Sequence, residues 1–430
     1  MSNARRAMVL AGLLFVGLLG MFLAVGVGTS QGAPSAFDVR VAQAKPVTLK
    51  LWVSGPYHQR VLPGVVQRFE EANPGIKVEA LTLDWTVYQQ KILTAFAGGA
   101  GPDVLSFYSV DVAAWAVHGI LAPLDQHINR ADFAENALDS GVWDNRVYAI
   151  PWAMRPRPFF YRKDFLKEAG YDRAPRTWDD LRQYAQKLVK RDASGNIERV
   201  GFWIPTSHPY KTVQMWLAFL WSNGGDVFDA AGKKATFNSQ EGVASVEFLA
   251  DFLNRYKVDK PGSIKNDPVD FMQGKVAMLV SNNATRGVMR DAPQLRDSIG
   301  IAVPPINKVP AMELSGEMFG ISKGTKYPVE ALKLLRFMTM NTDIVVQFLA
   351  GEDTLPALKA AMTSDYVRTN PWVSQFLEVA KVGRPLPKHP KWAEISRILT
   401  SALDEVYLKG RSAKDALDAA AQKVNNLLAQ

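Results

Sequence analysis

The sequence predicts an α/β protein built on mainly parallel sheets flanked by helices. Three observations carry this expectation. From about residue 46 onward, short β-branched runs alternate with amphipathic helical runs, the order that generates βαβ units. The chain's 430 residues exceed the roughly 250–300 at which a single core stops growing, so two or three folding units are expected. A composition of 47% hydrophobic and 21% charged residues is globular and excludes whole-chain disorder, collagen-like and coiled-coil architectures.

The N-terminal segment stands apart. Arg5 and Arg6 precede an uncharged, Leu-, Val-, Phe- and Gly-rich stretch from Ala7 to Gly28, the pattern of an export signal. Small residues between Ser30 and Ala36 offer a cleavage region, and Ala42-Gln43-Ala44 lies further from the apolar stretch. The stretch is also long enough to remain as a membrane anchor, and both fates stay open. Either one places the rest of the chain outside the cytoplasm, in the periplasm or on the outer face of the cytoplasmic membrane.

Val47–Val53 is apolar, β-branched and ended by Ser54-Gly55-Pro56, which reads as a buried strand. Pro63 to Asn73 places Val65, Val66, Phe69 and Ala72 on one helical face, and Asn73-Pro74-Gly75 stops it. Ile76, Val78 and Ala80 then alternate as a strand. Tyr88, Ile92, Ala95 and Phe96 form a second helical face, closed by Gly98 to Pro102, and Asp103 to Phe107 is a short apolar strand. Thr177, three residues before Asp180, predicts a helix N-cap ahead of Leu181, Tyr184, Ala185 and Leu188. Val243, Val246, Leu249, Phe252 and Tyr256 recur at helical spacing, and Val276–Val280 reads as a central strand. Ser412 with Asp415 opens a last helix whose face is Ala413, Ala416, Ala420, Val424 and Leu427. No repeat of 20–50 residues and no low-complexity tract interrupts the pattern.

Several chemistries lack their residues. Without cysteine there are no disulfides, thiolate metal sites or cysteine nucleophiles. The five histidines show no i,i+4 pairing and no HExxH. Gly98–Gly101 lacks the order of a dinucleotide loop, no P-loop is present, and no GxSxG elbow occurs. The net charge of +8 is scattered rather than striped, so a nucleic-acid partner is not expected. No catalytic residue, metal or cofactor is assigned. The positive signal is aromatic: 11 Trp, 12 Tyr and 21 Phe, many of them where an apolar run meets a loop. Ligands of doubly wound sheets bind beyond the carboxyl ends of strands, and flat rings there suit the apolar faces of sugars. Core packing is the competing role for each ring.

A family resemblance emerges from ordered motifs. Gly101-Pro102-Asp103-Val104-Leu105 leads to Gly119-Ile120-Leu121-Ala122-Pro123-Leu124. Trp143 to Pro151 is followed by Phe160-Tyr161-Arg162-Lys163-Asp164, then Arg176-Thr177-Trp178-Asp179-Asp180-Leu181. Leu220 to Gly225, Phe271 to Met278 and Leu355-Pro356-Ala357 complete the series. Together they resemble the extracellular solute-binding proteins of ABC importers, the maltose-binding-protein-like family, over essentially all of residues 46–430. The resemblance implies a two-lobed periplasmic-binding-protein fold with a ligand cleft at the hinge. It places a first lobe at 46–153 with 301–352, a second at 154–300 with 353–430, and a leader or anchor plus linker at 1–44. Ala153 to Pro158 and Val303-Pro304-Pro305 supply the prolines of two crossings. It further implies a saccharide ligand, permease partners in the membrane, a monomer and no enzymatic activity.

Site residues follow by position. Tyr57 and His58 come after the first strand, Trp85 after the second, Phe107 and Tyr108 after the third, and Asp111 where the family's maltose binder has a sugar-binding acid. Trp152 and Arg155 lie at the first crossing, Tyr210 in a second-lobe loop, Trp221 before Asn223-Gly224-Gly225, and Gly316 and Glu317 where the chain re-enters the first lobe. Two departures stand out. The second lobe commonly carries a Trp after the strand here formed by Val276–Val280, where this chain has Ser281 to Arg286, leaving Asn282 and Arg286 as polar candidates. Arg155 replaces a glutamate of the maltose binder, and Arg157 adds a second cation. Three arginines near a cleft can grip carboxylate or phosphate. A neutral oligosaccharide is thus the leading expectation, with a uronate oligosaccharide or glycerophosphodiester held by Arg155 as the alternative. A glycoside-acting enzyme is the reading from another class.

Overall fold

The computed structural model describes residues 46–55, 59–282, 292–352 and 354–429, without the side chains of Trp85, Thr86, Pro293 and Glu352. The N-terminal unit, residues 1–44, lies outside the described residues, as does the expected leader or anchor. The body is an α/β structure with one seven-stranded and one three-stranded sheet.

The larger sheet begins as the sequence predicts. Strand Val47–Ser54 pairs in parallel with Ile76–Leu83 on one side and Val104–Tyr108 on the other. Helix Leu62–Ala72 crosses between the first two, burying Val65 and Phe69. Helix Trp85–Ala97 crosses between the next two, with Tyr88 and Ile92 buried. These helices cover opposite faces of the sheet. Leu62, Val65 and Phe69 join the core of helices Pro328–Met340 and Thr342–Glu352, whereas Tyr88 and Ile92 join Phe107, Val112 and Trp115. Ala80 and Leu81 are exposed because Ile76–Leu83 is the sheet's edge.

Strand direction is more mixed than the helical-crossover pattern predicts. The long strand Met312–Ile321 runs antiparallel to both Val104–Tyr108 and Ile150–Pro156, and Leu355–Pro356 is antiparallel to Ile150–Pro156. The smaller sheet, Met278–Val280, Phe159–Arg162 and Ile299–Ala302, is antiparallel throughout. The cause is connectivity. The chain leaves the larger sheet at the carboxyl end of Ile150–Pro156 and returns to it at the amino end of Met312–Ile321. Neighbours joined through a second sheet at the same end must run in opposite directions. Arg157 and Pro158 alone separate the two sheets on the way out. There the Arg157 amide donates to the Glu313 carbonyl at 3.0 Å.

The second core surrounds helices Trp178–Leu188, Lys211–Ser222, Gln240–Asn254, Trp392–Lys409 and Ala413–Leu428. Thr177 caps its helix as predicted, its Oγ accepting from the Asp180 amide at 3.0 Å. Ala413, Ala416, Ala420 and Val424 are buried on the last helix. A third apolar cluster, including Met154, Phe160, Leu314 and Phe376, packs where strands of both sheets meet.

Candidate functional site

The three aromatic candidates nearest strand and helix interiors turn out to be core. Phe107 is 1% exposed with its ring centroid 4.5 Å from that of Trp115. Trp152 is 2% exposed, edge-on to Phe348 at 4.5 Å. Trp221 is 1% exposed, donates from Nε1 to Asp226 at 3.2 Å and is covered by the Arg384 guanidinium. All three rings are thus packed among core residues in this structure, as deeply as Glu317. Strand alternation sends Phe107 to the helix-covered face, and Trp221 lies on a helix buried on every side.

The same alternation gathers polar groups on one face of the hinge strands. Tyr108 sits directly across from Glu317, and Arg155 across from Ser315. An Arg155 Nη donates to Glu317 Oε2 at 2.8 Å, with Glu317 completely buried. Arg157 Nε donates to the equally buried Glu313 at 3.1 Å, and its Nη2 to Gln214 of helix Lys211–Ser222 at 2.6 Å. The Ser315 hydroxyl donates to the Arg155 carbonyl, and the Gly316 amide to the Ser109 hydroxyl at 3.2 Å. Two guanidiniums and two carboxylates thus interleave on this face, and the expectation that Arg155 and Arg157 await an anion is met by intramolecular partners. Desolvation pushes the Glu313 carboxyl up while the Arg157 cation opposes it. Burial likewise raises the Tyr108 phenol.

Asp111 follows the same strand. It accepts from Gln89 Nε2 at 2.8 Å, and desolvation pushes its carboxyl up to about 7 against that bond. Tyr210, 54% exposed ahead of helix Lys211–Ser222, lies within electrostatic reach of Asp111. Its amide and that of Lys211 both donate to His208 Nδ1.

Beside Asn282, the Ser281 hydroxyl donates to Asp267 at 2.6 Å, and Lys211 pairs with the other oxygen of that buried carboxylate. The Lys211 ammonium lies 5.8 Å from the Trp203 ring centroid. Trp203 in turn donates its amide to Met278, so the fold brings an indole beside the strand whose sequence lacks a following aromatic.

The structure thus brings together Tyr108, Asp111, Arg155, Gly316, Glu317 and Tyr210. Tyr57, His58 and Arg286 lie outside the described residues, as does the Trp85 side chain. Gln89, Gln214, Glu313 and Asp267 were missed. For Glu313 a signal existed, since Glu313-Ser315-Glu317 and Arg155-Arg157 both repeat with strand period. Among the described residues, no group of three or more His, Asp or Glu could hold a metal, and no helix is long and apolar enough to cross a membrane.

Residues 55–342 match the family model described as bacterial extracellular solute-binding protein. The chain belongs to this family. Among its relatives, a binding protein of Brucella abortus is 28% identical over 381 residues, covering 86% of this chain and 89% of that one. A diacetylchitobiose binding protein of Streptomyces coelicolor is 24% identical, covering 96% and 98%. A solved ABC-transporter solute-binding protein of Thermotoga lettingae, bound with α-D-tagatose, superposes with a TM-score of 0.78 at 24% identity, over 89% of this chain and all of that one. That likeness establishes the two-lobed fold of extracellular solute-binding proteins for this chain.

Proposed function

We propose that this solute-binding protein takes up a neutral oligosaccharide between its lobes outside the cytoplasm and presents it to an ABC importer's permease. The supporting observation is the interleaved Arg155–Glu317 and Arg157–Glu313 face. Each buried guanidinium is paired with a carboxylate, so this face carries no net charge for a phosphate or carboxylate to match, and neutral hydroxyls suit it better. Two relatives whose names or bound molecules are sugars point the same way. Tyr108, Asp111, Arg155, Gly316, Glu317, Tyr210 and Asn282 are assigned to the ligand, with Tyr57, His58, Trp85 and Arg286 assigned from the family resemblance alone. The lobes are taken as about 46–156 with 311–361, and 159–302 with 392–430, following sheet and core membership, which moves the expected crossings by about three to ten residues. Binding is non-covalent: ligand touches both lobes, favours the closed state by its differential affinity, and the closed form is what a permease reads.

The experiment is calorimetric titration with diacetylchitobiose, maltotriose and a galacturonate trimer at low and high salt. The account expects heat from a neutral sugar, with affinity unchanged by salt. Binding of the galacturonate alone, weakening as salt rises, would replace the proposal with an anionic ligand.

A further inference from the structure

Residues 381–391 run between the lobes without belonging to either sheet's main order. Gly383–Arg384 pairs in parallel with Met312–Glu313, at the end of the long strand where the chain enters the larger sheet. From there the segment contacts both sides. Toward the second core, Leu386 is buried, Arg384 pairs with Asp226 at 2.6 Å over the Trp221 ring, and helix Trp392–Lys409 follows. Toward the larger sheet it meets helix Glu135–Asp139, whose Leu138 belongs to that sheet's core. There Asn136 Nδ2 donates to the Ala380 and Gly383 carbonyls at 3.2 and 3.4 Å. Lys388 Nζ donates to the Asp139 carboxylate at 2.7 Å and to its carbonyl at 3.2 Å. Leu386, Pro387 and Lys388 also line a pocket with Ser109 and Val110, which share a 3-10 turn with Asp111.

We propose that this segment is an interlobe latch, in which the Lys388–Asp139 pair and the Asn136 bonds set how far the ligand-free protein opens. On the second-core side the segment is fixed by Leu386 and the Arg384 contacts. On the first-lobe side its start is held by the Gly383–Arg384 ladder and by Val382 clustered with Met312 and Leu314, and Leu386 shares a cluster with Val110. Beyond these the Lys388–Asp139 pair is a polar tie whose side chains stay part-exposed, 32% for Lys388 and 45% for Asp139. A firm attachment beside the crossing strand and a screened, reversible ion pair further along is the construction of a clasp. The latch rests on the two-lobed fold and is independent of which ligand binds.

The test needs no ligand. Since the chain has no cysteine, spin labels placed through Lys333→Cys and Glu247→Cys, both exposed and in different lobes, report interlobe distance. Lys388→Ala and Asp139→Asn should each shift the distribution toward the longer-distance form, changing the open-to-closed ratio by about 1.5- to 5-fold, the range for a part-exposed pair. The exchange Lys388→Asp with Asp139→Lys should restore part of that shift. Raising salt to about 1 M, where screening reaches about 3 Å, should open the otherwise unmodified labelled protein and leave Lys388→Ala unmoved. This salt arm holds even if a latch variant fails to fold. Unchanged distances in both single variants, an exchange that behaves like Lys388→Ala, or a salt-insensitive unmodified protein would each overturn the latch.

Discussion

Glu317 is completely buried and ion-paired with Arg155, so the two side chains cannot be judged separately. Removing one partner of a buried pair leaves a charge without its counterion, which costs about 3–5 kcal/mol. Arg155→Ala should therefore lower stability by about that amount in a denaturant titration, whatever it does to binding. Replacing both residues, Arg155→Met with Glu317→Leu, should recover most of the stability. If the pair contacts the sugar, the double variant should still fail to bind; native affinity in a well-folded double variant would remove both residues from the site. Asp111 supplies a pH test. Its carboxyl is raised to about 7, so between its unfolded value near 4 and about 7 the folded state holds more protons. Stability from this group is present at low pH and is lost as pH rises through about 7. Asp259, also raised to about 7 by burial, acts in the same sense, whereas His208 and His389, both lowered by burial, act oppositely below about 6.5. Between pH 6.5 and 8.5 the native melting temperature should fall, and Asp111→Asn should flatten that fall. An Asp111→Asn profile parallel to the native one would contradict the raised carboxyl.

At the scale of elements, the helices were the most legible part of the sequence. Thr177 and Ser412 cap the helices their spacing announced, and Val65 with Phe69 or Ala416 with Ala420 sits buried where a 3.6-residue period puts it. Thr177→Ala should cost about 1 kcal/mol, read as a lower midpoint in urea with unchanged slope. An unaltered midpoint would mean that the Asp180 amide finds another acceptor. The long strand Met312–Ile321 was harder to read. Its Glu313, Ser315 and Glu317 look like the solvated side of an edge strand, yet they are buried in the middle of a sheet. Only pairing with Ile150–Pro156, more than 150 residues away in sequence, supplies the Arg partners that permit this. The same distance hid the antiparallel direction, because local βαβ order says nothing about strands joined through another lobe. The core packing of Trp152 and Trp221 was hidden for a related reason, since both meet loops in sequence while their packing partners are distant in the chain.

At the scale of the whole molecule, the described residues form separate apolar cores, and strands Ile150–Pro156 and Met312–Ile321 with Arg157 carry four buried charged side chains, Arg155, Arg157, Glu313 and Glu317. That placement unites the fold with the proposed activity, since the hinge strands carry the groups assigned to the ligand and also the crossings about which lobes move. The Arg157–Gln214 bond links strand Met312–Ile321, through Glu313, to the helix that begins beside Tyr210, joining the two sides of the cleft through one guanidinium. Gln214→Leu should lower stability by about 1–3 kcal/mol, because one buried Arg157 N–H loses its acceptor while Arg157 keeps Glu313, and should also weaken sugar binding measured by titration on the folded protein. Equal affinities would confine Gln214 to packing. The central claim is that a neutral sugar closes this protein, and the most direct measurement is a thermal-shift panel of neutral oligosaccharides, uronate oligomers and glycerophosphodiesters on the purified chain. Ligand at about 100 times its dissociation constant adds about 2.7 kcal/mol, or about 5–10 °C for lobes near 200 residues. The account predicts that shift with a neutral oligosaccharide and none with the anions; a shift confined to the anions would contradict it.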